Sequence, residues 1–573
     1  MVTALPRPVL LGGYAAKQCP VRVQNDFLPL VPTLKWVPAP EDQARLDAGN
    51  AFEAQAFADL LGLHRDAVVV EARLGKADAI AATVGAMDAG VPLILGGWLP
   101  DDLHGARTGK PDILIRVAGG YLPADVKNHQ TVKRAKTTRV AMSSLATPGA
   151  RFEITGLSAT GYRHNDGMQL AHYTRLLQAC GRHPGQDQLW GAVLGTSQLD
   201  VMPGGGPKLV FVWHDLEKPM GFTFSRSRGK TRRSLLERYD HEHGFRVKVA
   251  DTARRIVGGE DDPHPLVEPV GQQECSNCPY GQWCAEQMGP EDPSTAINIG
   301  RLTPREWLTL RRLGITTTAA LAAVDAEDPL FFDDYFAEVT HLSPTQARSR
   351  LTAAIERAQM ICEGIEIART GDGPAVIPVA DIEIDVDIEY DFGNRVYLWG
   401  ARVRYGGDES TAHYVADFVE WEPLDDLAEQ RLAARFAAWL RAECEAAAAA
   451  GQSLKVFHWS HPERSKLISL LGLTEVGDLV DPETGVFVDL EKVFKANFFA
   501  LHGSSIKKVA PQFGFAWRVA DPGGAISQTY LSKVHTSADP DEISAAKQWL
   551  LTYNEDDNAA MAAIRDGIID SAM

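Results

Sequence analysis

One stretch constrains this chain more than any other. Residues 381–391 read DIEIDVDIEYD, and from Asp381 to Glu389 acids and apolar residues alternate without a break. A period of two belongs to a β-strand. It puts Asp381, Glu383, Asp385, Asp387 and Glu389 on one face and Ile382, Ile384, Val386 and Ile388 on the other. The ends of the acidic row lie eight residues apart, about 26 Å at ~3.3 Å per residue. A two-metal site spans only ~4 Å, so a single D-x-E pair can serve one site. Asp381/Glu383 and Asp387/Glu389 compete for that role. The acids left over are expected to be solvated, or to form a field that attracts cations.

A chain of 573 residues is too long for one core, and three or four domains are expected. Residues 1–290 mix strand-like runs (AVVVEARL, PDILIRV, LWGAVLGT, KLVFVW) with helical ones (AFEAQAFADLLGL, MQLAHYTRLLQAC), an α/β pattern. Residues 291–370 read as a helical connector. Its LRRLGITTTAALAAV segment is compatible with two packed helices or with a helix–hairpin–helix unit. Residues 371–573 form a second α/β segment: the acidic strand, strands RVYLWGARVRY, AHYVADFV and SLKVFHW, a helix from about Leu424 to Ala450, and further helices.

No apolar run reaches the ~18–20 residues of a membrane span, and the N-terminus lacks the basic region of a signal peptide. Seven cysteines in so long a chain do not suggest a secreted disulfide scaffold, so a reducing cytoplasm is expected. The formal net charge of −18 argues against indiscriminate binding to polyanions. Two stretches run against it, Lys127–Arg139 and Arg226–Arg238, and together they suggest a groove that tracks phosphates.

The sequence CSNCPYGQWC brings Cys275, Cys278 and Cys284 together. Three thiolates at that spacing suggest a soft metal, and Cys19, followed by proline as Cys278 is, is the natural fourth ligand. Zinc and an iron–sulfur cluster both satisfy four thiolates. Cys180, Cys362 and Cys444 read as free structural cysteines, the first two in buried helical settings.

Asp112 and Asp125 fall on successive strand-like runs and can share a hard cation such as Mg²⁺. Lys127, two residues on from Asp125, shares its face and can orient water and offset phosphate charge. Glu53 offers a third carboxylate from a helix, and Gln169 and Tyr173 sit one helical turn apart. In the last segment Tyr553 and Asp557 share a helix face. Glu463 opens a helix, where a carboxylate is favoured by the dipole in any case.

G-x3-E (Gly49, Glu53), P-D (Asp112), D-x-K (Asp125, Lys127) and Q-x3-Y (Gln169, Tyr173), in this order, resemble the RecB-like nucleases of the PD-(D/E)xK superfamily. An N-terminal cysteine paired with a later three-cysteine group resembles the members with a [4Fe–4S] staple. This resemblance covers about residues 19–290. It implies a restriction-endonuclease-like core, with Glu53, Asp112 and Asp125 as metal ligands, Lys127 catalytic, and Gln169 and Tyr173 supporting the site or the DNA. It implies that Cys19, Cys275, Cys278 and Cys284 hold the cluster, and it favours iron–sulfur over zinc. Many relatives carry His where Glu53 stands.

Residues 375–573 resemble the RNase H-like domain of DEDD exonucleases: D-x-E on the first strand, an acid after the fourth, Y-x3-D on the last helix. YNEDD and SIKKVAPQFGF look like the RNase H-like domain that some RecB-like proteins carry. In that family the D-x-E closes the first strand, which selects Asp387 and Glu389. Glu463 and Asp557 would complete the metal ligands, with Tyr553 positioning the water. Glu463 departs from the usual Asp.

The expectation is therefore a Mg²⁺- or Mn²⁺-dependent DNA nuclease, exonucleolytic on single-stranded or end-bearing DNA, in repair or recombination. A catalytically silent C-terminal binding domain, a non-enzymatic nucleic-acid-binding scaffold and an RNA nuclease are the alternatives.

Overall fold

The structure, a computed structural model, describes residues 8–570 apart from 33–36, 39, 200–207, 226–228, 298–299, 301, 372, 374, 392 and 521. The start of the second basic stretch, 226–228, lies outside the described residues. The chain divides into two compact units, residues 1–289 with 340–343, and residues 290–339 with 344–573. The helices of residues 291–363 therefore fall mostly in the second unit. No described helix is long and apolar enough to cross a membrane.

The first unit is built on an eight-stranded mixed sheet. Its strands are β1 (Val68–Val69), β2 (Leu93–Leu95), β3 (Ile113–Val117), β4 (Gly120–Val126), β5 (Val132–Ser144), β6 (Phe152–Ala159), β7 (Trp190–Leu199) and β8 (Lys208–Asp215), in the order β1-β2-β3-β4-β7-β8-β5-β6. The run AVVVEARL yields only the two residues of β1. β4 runs antiparallel to β3 and parallel to β7, and it is buried from Tyr121 to Val126. Both sheet faces are covered. Ala56 and Leu60 of helix Pro40–Leu63 pack with Ile113, Ile115, Leu122 and Ala124. Tyr173, Leu176 and Leu177 of helix Arg163–Ala179 pack with Ile94, Leu114 and Tyr121 on the other face. Burial on both sides is what so apolar a set of strands requires. The first basic stretch runs from the end of β4 into β5, where Lys133, Arg134, Lys136 and Arg139 are exposed. β9 (Gly221–Ser225) and β10 (Gly229–Arg233) form a separate hairpin. Helix Leu235–Ala253 follows, started by a capping box between Ser234 and Glu237.

In the second unit, helices Pro304–Arg312 and Thr318–Ala322 flank Gly314, whose φ of +85° ends the first of them. A short ribbon pairs β11 (Ile367–Arg369) with β17 (Phe498–Ala500). The main sheet has five strands: β12 (Ile382–Tyr390), β13 (Val396–Tyr405), β14 (Asp408–Val415), β15 (Leu454–His458) and β16 (Phe487–Asp489). They lie in the order β14-β13-β12-β15-β16. β12 is central, antiparallel to β13 and parallel to β15.

The alternation of β12 is resolved by two different covers. Ile382, Ile384, Val386 and Ile388 enter a core with Phe436, Leu440 and Val456, each contributing roughly 1.5–3 kcal/mol by burial. Helix Asp426–Ala449, capped by Asp425, supplies much of that core. The acidic face lies against the C-terminal helix Pro540–Asp570.

Here one expectation is corrected. Glu383 and Asp385 are not solvated; they are 3% and 0% exposed. The fully buried Arg565 guanidinium meets Asp385 at 2.5 and 3.1 Å and Glu383 at 3.1 Å. Arg404, opposite Glu383 in the β12–β13 register, reaches it at 2.6 Å. Only Asp381 of the leftover acids is exposed, bonded to Ser453. A second correction concerns Cys362, which is exposed; Cys180 and Cys444 are half-buried.

Candidate functional site

Each unit brings carboxylates together. In the second, Asp387 and Glu389 stand at the end of β12, and Asp557 reaches them from the C-terminal helix. Their ligand oxygens lie within 4.8 Å of one another, the one group of three such ligands among the described residues. The close approach has a local cause. Gly400 pairs with Asp387 in the sheet. A Cβ there would overlap Asn554 Oδ1 and lie 2.6 Å from the Tyr414 hydroxyl. Glycine thus lets the helix settle on the strand, where Asn554 Nδ2 donates to Asp387 Oδ2 at 2.9 Å. Ser527 Oγ donates to Glu389 Oε2 at 2.9 Å. Trp517 Nε1 donates to Asp557 Oδ1 at 2.7 Å, and the Lys507 ammonium pairs with the same oxygen.

The electrostatics are those of a site short of positive charge. Burial first, then the neighbouring Asp557, Glu389 and Glu463 carboxylates, raise the Asp387 pKa well above its usual range. Burial and Asp557 push Glu389 up to about 8 against the help of Ser527 and Lys507. Burial also raises Asp557, although Lys507, Trp517 and Tyr553 oppose it. Like charges held this close cannot all ionise unaided. Tyr553, also raised by burial and by Glu389, stays a neutral hydroxyl. Glu463, near the start of helix Pro462–Leu471, is buried with its Oε2 3.3 Å from His458 Nδ1. It faces Asp387 electrostatically but stands outside the close group of three.

The donor set fits a hard divalent cation. Octahedral Mg²⁺ with bonds of 2.0–2.1 Å places opposite oxygens about 4.2 Å apart, within the spread of Asp387, Glu389 and Asp557.

In the first unit, Asp112 precedes β3 and its Oδ2 accepts from Val126 N at 2.8 Å. Asp125 on β4 is fully buried; its Oδ2 lies 3.0 Å from Lys127 Nζ, and its Oδ1 has no hydrogen-bond partner. Burial and Asp125 raise Asp112 well above the usual range, Lys127 and the Val126 amide oppose this, and Glu53 adds to it. Burial would lower the Lys127 pKa, but Asp125, Tyr14 and Asp112 together raise it. Half-buried Glu53, on helix Pro40–Leu63, faces Asp112 without joining a close group of three. Gln169 Nε2 donates to the Tyr173 hydroxyl at 3.0 Å, one turn along helix Arg163–Ala179.

Several neighbours escaped the sequence reading. Lys17 Nζ donates to Gln169 Oε1 at 3.0 Å, and burial and Lys127 lower its pKa to about 8 against Asp125 and Asp166. His129 Nε2 lies 3.2 Å from Asp166 and stacks on Tyr162. In the second unit Asn554, Ser527, Lys507 and Trp517 were missed. Asn554 lies inside the quoted YNEDD and Lys507 inside SIKKVAPQFGF, but nothing local marks either as a site neighbour.

The four cysteines of the predicted cluster form no close group of three, although N–H groups of Gln272 and Asn25 reach three of them. Gln272 Nε2 donates to Cys19 Sγ at 3.4 Å, Gln272 N to Cys275 Sγ at 3.3 Å, and Asn25 Nδ2 to Cys284 Sγ at 3.4 Å. Burial first, and then Cys278, Cys19 and Cys275, push the Cys284 thiol up to about 11. Tetrahedral zinc with ~2.3 Å bonds needs sulfurs about 3.8 Å apart, and no three of these thiols lie within 4.8 Å of one another.

Compared with models of known protein families, with curated proteins and with solved structures, the chain gives no significant match.

Proposed function

We propose that this chain is a divalent-metal-dependent DNA nuclease that hydrolyses phosphodiesters of single-stranded or end-bearing DNA in repair or recombination. The observation that carries the reading is the convergence of Asp387, Glu389 and Asp557 within 4.8 Å. The order β14-β13-β12-β15-β16, with the D-x-E at the end of its central first strand and Asp557 on the last helix, supports an RNase H-like domain. Asp112, Asp125 and Lys127 around the central β3–β4 hairpin support a restriction-endonuclease-like core in the first unit. Cys19, Cys275, Cys278 and Cys284 are proposed to hold a [4Fe–4S] cluster. Such a protein is brown and carries about four irons per chain; a colourless preparation with one zinc would overturn this.

Asp387, Glu389 and Asp557, with Glu463 beside them, would hold Mg²⁺ or Mn²⁺, as would Asp112 and Asp125 with Glu53. A cation held by these residues would supply Lewis-acid chemistry, making a bound water more acidic and offsetting charge on the phosphate. Asn554 and Ser527 fix the directions of Asp387 and Glu389. Tyr553, a neutral hydroxyl, would position the attacking water. Lys127 offsets charge on the phosphate at the other site.

A second reading has an observation of its own. The Lys507 ammonium already sits on Asp557, as it would in a domain that binds nucleic acid without cutting it. Cleavage of single-stranded DNA with Mn²⁺ separates the readings. Loss in both Asp125→Ala and Asp387→Ala supports two working sites. Loss in Asp125→Ala alone makes the second unit a binder, and no loss in either overturns the nuclease. RNA of the same sequence tests substrate choice.

A further inference from the structure

We propose that Lys17 is a phosphate-binding residue of the Asp112–Asp125–Lys127 site, carried there by the chain segment that Cys19 anchors. This rests on the nuclease reading of the first unit. Lys17 lies 152 residues from Gln169 in sequence, yet its Nζ donates to Gln169 Oε1 at 3.0 Å and to Asn165 O at 3.4 Å. The charges facing it are Lys127, Asp125 and Asp166. Two ammonium groups are thus directed at one neighbourhood, although each disfavours the other. Asp125 offsets both, and a DNA phosphate approaching the site would meet the two cations together. The exposed Tyr14 ring lies 4.3 Å from Lys17 Nζ.

The segment is held from both ends. Gly13 is buried against Gln169 and Tyr173: a Cβ there would lie 3.3 Å from Gln169 Cγ and 3.5 Å from the Tyr173 hydroxyl. Gln18 O accepts from Arg246 Nη2 at 2.9 Å. Cys19 follows at once, beneath the Gln272 amide. On this proposal the segment around Cys19, held by Gln272 and Arg246, sets the position of Lys17.

The test uses the full chain, purified without oxygen, and a single-stranded oligonucleotide. Binding is followed by fluorescence anisotropy in Ca²⁺ over a salt series, and cleavage in Mn²⁺. Each phosphate contact on single-stranded DNA contributes about 0.7 to the slope of log K against log salt. Lys17→Met is expected to lower that slope by about 0.7 and to raise KM several-fold more than it lowers kcat. Lys17→Arg restores the slope. If Lys17→Met lowers the melting temperature, Lys17→Gln decides, since it keeps a donor for Gln169 without the charge. A slope that recovers in Lys17→Gln overturns the proposal, and one that stays low supports it. Unchanged slope and KM in a well-folded Lys17→Met overturn the Lys17 assignment alone. A wild-type chain that neither binds nor cuts DNA overturns the nuclease reading and this assignment with it.

Discussion

The two carboxylate sites differ in how their charge is balanced. In the first unit, Asp125 has Lys127 at 3.0 Å, Lys17 faces the same acid, and the Val126 amide occupies one oxygen of Asp112. In the second, Asp387, Glu389 and Asp557 crowd within 4.8 Å with Lys507 as the cation paired to them, and all three are raised in pKa. The first site has two ammonium groups facing its carboxylates, although Asp112 is raised there as well. The second is left favouring protonated carboxyls. The same residue types thus give one site where two ammonium groups face the acids and one where Lys507 faces three.

The sharpest way to break this comparison lies a few residues up the same strand. Asp385 and Glu383 are as buried as Glu389 but are answered by Arg565 and Arg404. Removing one partner of a buried ion pair costs about 3–5 kcal/mol. Arg565→Met is therefore expected to destabilise the second unit by that amount in denaturant unfolding. A loss below ~1 kcal/mol would mean the acids are not held as described. Gly400→Ala, which drives a methyl group into Asn554, is expected to cost about 1–3 kcal/mol and to weaken metal binding by misplacing Asp387. An unchanged variant would show that the helix does not seat so closely.

Acidity should move the two units in opposite directions. Glu389, raised to about 8, keeps a proton that the unfolded chain releases above about 4. That contribution to stability is complete in acid and is lost as pH rises toward 8, so the metal-free second unit should weaken from pH 5 to 8. In the first unit, burial lowers His172, His214 and His243 to about 3, 4 and 4. Below about 6.5 the unfolded chain takes up protons there that the folded chain refuses, so stability falls as pH falls. Raised Asp112 and Glu274 oppose this with fewer protons. Hydrogen exchange of peptides from β12 and β7, measured in chelator between pH 5 and 8, reads both trends at once; parallel trends would refute the contrast. The smallest effect is that of Lys507→Met. Without a competing ammonium on Asp557, Mn²⁺ should bind several-fold more tightly, while the metal-free unit loses stability. Weaker Mn²⁺ binding would make Lys507 a helper of the ion.

Much of this was legible in the chain. The period of two in DIEIDVDIEYD marks β12, and Tyr553 and Asp557, four apart, mark one helix face. The misreading of Glu383 and Asp385 as solvated came from judging one strand alone. Arg404 in RVYLWGARVRY alternates in step with those acids, and the β12–β13 pairing sets it opposite Glu383; that signal was available. Arg565 lies 180 residues from Asp385 and carries no local mark. Lys17, Ser527 and Lys507 were invisible for the same reason, since their roles arise only when distant segments pack. Helix and strand periods depend on neighbours in sequence, whereas charge balance depends on neighbours in space.

Mn²⁺ binding to the full chain without nucleic acid, followed by electron paramagnetic resonance, tests the central claim most directly. The account expects a tight site in the wild type, weakened at least ~100-fold in Asp387→Asn as loss of a direct carboxylate ligand should do, while Asp125→Asn removes only the weaker site of the first unit. Tight Mn²⁺ binding that survives Asp387→Asn, or disappears in Asp125→Asn instead, would contradict it.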